Sequence, residues 1–157
     1  MHGRHSVAQL PVVRRRPIVD PAEIRSAFRA FLGDERYRKF VSMVPSTSDG
    51  TRLKFWQENA WESFAADHPR FDLDFAGIVD VFRVCELHGH PLAQRFVPVQ
   101  HGCADFAPEY WQTRNALHPN SPIPFIATEG RAITETELPI WFCTECEQIE
   151  IKRQPQT

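Results

Sequence analysis

The sequence predicts an α+β fold in which an N-terminal helical half packs on a smaller β/α second half. Up to about residue 84, apolar residues recur at steps of three and four, the period of an amphipathic helix. Beyond that point, short apolar runs bounded by Pro and Gly take over, which is how strands read. Two short cysteine motifs, one at the join and one near the C-terminal end, bracket the second half.

Each element has a local reason. In "DPAEIRSAFRAFLG", Asp20 suits an N-cap, Pro21 the first helical position and Glu23 a capping box. Ile24, Phe28, Phe31 and Leu32 follow at helical spacing, and Gly33 supplies the stop. "DERYRKFVSMV" predicts a second short helix with Tyr37, Phe40, Val41 and Val44 on one side, and "PSTSDGT" predicts a loop. "RLKFWQENAWESFAADHP" carries a stripe of Leu53, Trp56, Ala60, Trp61 and Phe64, which at this spacing is core rather than a ligand cage. "LDFAGIVDVFRVC" predicts a helix running into Cys85. "RFVPVQ", "PIPFIAT" and "LPIWFC" read as strands, and "PEYWQTRNALHPN" as a helix opening at Pro108 and Glu109.

Composition sets outer bounds. A chain of 157 residues with 42% hydrophobic and 24% charged residues matches a globular domain with a real core. No apolar run is long enough to span a membrane. The net charge of −2 hides an asymmetry, because residues 1–40 carry nine Lys/Arg against four acids while the remainder is acidic. The expected organisation is a flexible basic arm at 1–19, one globular domain at 20–152 (helical part 20–84, knuckle part 85–152) and a tail at 153–157. The first residues lack the apolar core of a secretory signal, and Pro11 and Pro17 interrupt any amphipathic transit helix. A cytoplasmic location is the expectation.

The chemistry lies in the cysteine motifs. Cys85-x-x-His88 ends the helical half, and Cys143-x-x-Cys146 comes directly after the apolar run "PIWF". Together they make a Cys₃His set, a tetrahedral complement for structural zinc. A two-residue gap aims two side chains at one point, and Gly89 lets the backbone turn away behind His88. Joining positions this far apart removes much chain entropy from the unfolded state. His90 and His101 compete with His88 as ligand, and Cys103 in place of the histidine would give a Cys₄ site. The other readings of the thiols are weaker. A redox pair would leave "CELH" unexplained and lacks a surrounding βαβ pattern, and two disulfides would suit a secreted chain.

The sequence C-x-x-H-G-x-x-L, an extended "VPV", then "PEYW", "HPN" and an aromatic-Cys-x-x-Cys resembles small uncharacterised bacterial proteins with a zinc site. The resemblance covers about Val79 to Glu147 and implies a metal centre, with no activity to carry over.

No catalytic motif is found. Four donors close a zinc site, whereas a catalytic zinc keeps an open position. HExxH, a Walker loop, G-x-G-x-x-G and G-x-S-x-G are absent, and a deaminase would need Pro before Cys143, where Phe142 stands. His90, His101, His118, Glu86 and Glu145 are loose acid–base candidates, with His118 read most simply as a turn residue and the acids as outer neighbours of the metal. The expectation is therefore a non-catalytic, zinc-stabilised protein-interaction module of bacterial type, with an accessory, adaptor or immunity-like role and a partner that is basic. The alternative is a zinc-ribbon-like nucleic-acid binder using Arg14–Arg16, Arg25, Arg29, Arg36 and Arg38; Glu86, Glu145 and Glu147 beside the knuckles count against it.

Overall fold

Asp20 opens the first helix by accepting a hydrogen bond from the Ala22 N–H at 2.9 Å in a computed structural model that describes residues 19–47 and 52–154. The basic arm up to residue 18, with its Arg14–Arg16 run, lies outside the described residues, as do 48–51 and the end of the tail. Helix α1 runs Pro21–Leu32 and stops at Gly33, whose φ of 81° suits glycine. The capping box expected at Glu23 does not form; its carboxylate pairs with Arg70 at 2.8 Å instead.

Helix α2 (Asp34–Thr47) continues past the expected loop start through Pro45. Helix α3 spans Phe55–Asp67, and a short 3₁₀ turn (Pro69–Phe71) leads to α4 (Phe75–Phe82). The buried Gln57 side chain ties α3 to α2: its amide donates to the Phe40 carbonyl at 3.1 Å, and its oxygen accepts from the Lys54 N–H. That satisfies a polar group the core would otherwise penalise.

Phe28 is the centre of this half. Phe40, Phe64, Phe82 and Trp61 meet its ring edge-on at centroid distances of 4.8, 5.0, 5.2 and 5.4 Å. Such contacts each add about 0.5–1.5 kcal/mol beyond area burial. The core cluster draws its buried residues from Ile24 to Val84.

Helix α4 ends at Phe82, so Cys85 is not on it. The chain straightens at Val84, which bridges to Pro91, and the Leu92 N–H donates to the Arg83 carbonyl at 3.1 Å. The β-branched side chain of Val84 favours this extended exit over another helical turn. The turn feeds directly into strand β1 (Ala93–Gln100).

The second half is α5 (Pro108–Leu117), β2 (Ile126–Ala127), β3 (Glu137–Phe142) and a last helix, α6 (Thr144–Arg153). The sheet order is β2-β1-β3. Strand β1 pairs parallel with β2 and antiparallel with β3, with Ala93 opposite Phe142. That register positions the site, since β1 starts just after the first motif and β3 ends just before the second. Among the described residues, no helix is long and apolar enough to cross a membrane.

Candidate metal centre

The Cys85–His88 turn is shaped by its backbone. The Gly89 N–H donates to the Cys85 carbonyl at 2.8 Å, and the Cys85 N–H donates to the His90 carbonyl at 2.8 Å. Gly89 has φ 69°, the left-handed conformation expected behind a metal-binding turn. On the other side, Cys143 is the N-cap of α6 and Cys146 lies in its first turn.

These two turns bring the Cys85, Cys143 and Cys146 sulfurs and a His88 ring nitrogen within 4.8 Å of one another. His88 Nδ1 stands 3.5 Å from each sulfur, and Cys85 Sγ lies 3.7 Å from Cys146 Sγ. A tetrahedral zinc with Zn–S of about 2.3 Å and Zn–N of about 2.0–2.1 Å requires N···S separations of about 3.6 Å and S···S separations of about 3.8 Å. The four separations given above match these values, and the cluster could hold a metal ion. The three cysteines are buried, with relative exposures of 1%, 0% and 0%.

The reserve ligands stand elsewhere. Cys103 and His101 are exposed and take no part in the cluster. His90 is beside the site but points its Nε2 at Glu145 Oε2, 3.0 Å away.

The electrostatics describe a cluster prepared for a cation. The Cys85 thiol is pulled down to about 4, first by the hydrogen bond from the Cys146 thiol. The same bond, together with burial, pushes Cys146 up, and burial does the same to Cys143. Without a metal, three close sulfurs hold one thiolate and two thiols, because like charges at this separation oppose one another. A dication removes that conflict and lets all three ionise.

Asn120 is the residue that sequence reasoning missed. Its Nδ2 donates to Cys85 Sγ at 3.3 Å and to Glu86, and its carbonyl accepts from the Cys143 N–H at 2.7 Å. It touches both halves of the site from the "HPN" turn, whose proline and preceding histidine conceal it as ordinary turn chemistry. His118 is indeed a turn residue, buried and in contact with Ser121 Oγ through Nδ1 at 2.9 Å. Two arginines of this half, Arg83 and Arg131, are engaged away from the nearby acids. Arg83 lies over the Trp141 ring at 4.0 Å, and Arg131 donates to the Thr128 and Ala127 carbonyls. Glu86 is instead served by Asn120, with burial raising its carboxyl above the usual range, while Glu145 meets His90 and Glu147 meets Arg95 at 2.7 Å.

No protein family, no curated protein and no solved structure matches this chain.

Proposed function

We propose that the cluster holds one structural zinc ion and that the chain is a non-catalytic protein-interaction module, an accessory, adaptor or immunity-like protein of bacterial, cytoplasmic type. The carrying observation is the closed donor set: three buried cysteines and His88 at tetrahedral separations, which leaves no coordination position for a substrate. Soft thiolate and imidazole donors in a tetrahedron select zinc over magnesium, calcium or manganese.

The interaction reading draws on the second half's surface. Phe96 and Ile151 keep 61% and 54% of their area exposed, on the rim of a groove of about 540 Å³ between β1, α5 and α6. Glu150 lines the same groove, which favours an apolar partner carrying a basic group. The nucleic-acid alternative is weakened where its cations are engaged: Arg25 donates to the Val81 carbonyl, and Arg29 pairs with Asp34 at 2.6 Å.

The test is metal content and thiol counting on protein purified without added metal. One zinc per chain, with three thiols that react only after chelation while Cys103 reacts at once, supports the reading. No metal and four freely reactive thiols overturn it. Partner capture at rising salt then separates the two binding classes, because phosphate contacts weaken steeply with salt and an apolar groove does not.

A further inference from the structure

Three of the four donors are sealed from solvent. The cysteines show 0–1% exposure, whereas the His88 side chain retains 15%. His88 is thus the donor of the four that solvent reaches.

His88 presents Nδ1 to the sulfurs, so the ring proton belongs on Nε2 once a metal is bound. Nε2 lies 3.8 Å from Glu145 Oε1, within ion-pair range and longer than a hydrogen bond. The other oxygen of the same carboxylate meets His90 Nε2 at 3.0 Å. His90 is itself held in place, since its carbonyl takes the Cys85 N–H. Glu145 stands between Cys143 and Cys146 in the first turn of α6, where a carboxylate also suits the helix end. A line of contacts thus runs from His90 through Glu145 to His88 and on to the ion's place.

We propose that metal exchange begins at His88, and that Glu145, anchored by His90, is the positioning residue that keeps His88 on the metal. The inference rests on the zinc reading above and adds to it a means of controlling release. In the first step, the bond between His88 Nδ1 and the metal breaks and a water oxygen takes the vacant position. One neutral ligand replaces another, so the charge of the centre is unchanged and no proton or electron moves. Handing the metal on to a chelator then frees the three cysteines, and two of them take up a proton from solvent. A carboxylate on the outer ring nitrogen opposes the first step by fixing the ring and raising its basicity.

The experiment tracks zinc release from fully loaded protein to an excess of a pyridylazo chromophoric chelator. Glu145→Gln should release zinc about tenfold faster, the lower end of what such outer partners contribute to metal affinity. His90→Ala should give a smaller acceleration, and none at all in the Glu145→Gln background, because His90 acts through that carboxylate. Glu147→Gln, on the same helix but paired with Arg95, should leave the rate unchanged. If wild-type protein holds no zinc, the zinc reading itself fails. If it holds one per chain and Glu145→Gln releases at the wild-type rate, only this inference is overturned. If Glu145→Gln cannot be loaded, His90→Ala decides, and an unchanged release rate there overturns the proposal.

Discussion

Asn120 reaches a sulfur that ought to be a thiolate, the carboxylate next to it and the backbone of the opposite motif, all from one small side chain and its own carbonyl. Asn120→Ala should lower zinc affinity on the order of tenfold in a competition titration, as loss of an outer hydrogen-bond donor does elsewhere. Cys85→Ser and Cys143→Ser should be harsher. Each abolishes tight zinc binding and with it the linkage term, about 4 kcal/mol at a metal concentration a thousand times Kd, measured by denaturant unfolding with and without zinc. Proton release gives an independent check. Cys143 and Cys146 sit above the ordinary thiol range and so are protonated at neutral pH, while Cys85, near 4, is already ionised. Zinc must displace the protons of the first two, so affinity rises with pH through the neutral range and falls as pH drops. Calorimetry in buffers of different ionisation enthalpy should read about two protons from the cysteines per zinc bound.

At the level of elements, the helical half was legible because its signals are redundant. Asp20, Pro21 and Gly33 punctuate α1, and the aromatic stripes of α3 and α4 leave one choice of buried face. The four cysteine and histidine positions stood out by spacing alone. Helix α6 did not, since "TECEQIEIKR" has no apolar stripe and begins at a cysteine instead of a capping Ser, Thr, Asn or Asp. The strand expected over "PIPFIAT" shrinks to Ile126–Ala127, because Pro122 and Pro124 have no N–H to offer a ladder. Gly89 bears on the first turn as a unit. A Cβ there would touch nothing within 4 Å, so Gly89→Ala costs only the left-handed backbone conformation, about 1–2 kcal/mol. Its expected result is weaker zinc binding with an unchanged helical core, read by chelator competition and by thermal melting.

For the whole molecule, the helical half and the cysteine half keep separate cores: one cluster runs from Ile24 to Val84, the other gathers Cys85, Leu92, Cys143 and Cys146. Damage to one should spare the other. Phe28→Ala removes the ring that six aromatics surround and should cost about 3–5 kcal/mol, visible as a lower melting temperature. Chelation should do the reverse, exposing thiols while most of the helical circular dichroism from α1–α4 survives. A single cooperative loss of both signals on chelation would contradict this division.

The separation of Cys85 from Cys146 by 61 positions also has a temporal side. A chain growing from the ribosome has every residue of the helical core in hand when Val84 emerges, and such a unit folds ahead of the residues made after it. Cys85 and His88 come next and must wait, with β1, α5 and both remaining strands still to be made, before their partners exist. During that interval the young chain carries an incomplete ligand pair beside an already compact body, open to stray metals and oxidants. Arrested chains long enough to bring Cys85, but not Cys143 and Cys146, out of the tunnel should therefore resist proteolysis in the helical half yet label at Cys85, and the label should disappear in zinc once Cys146 is free of the tunnel.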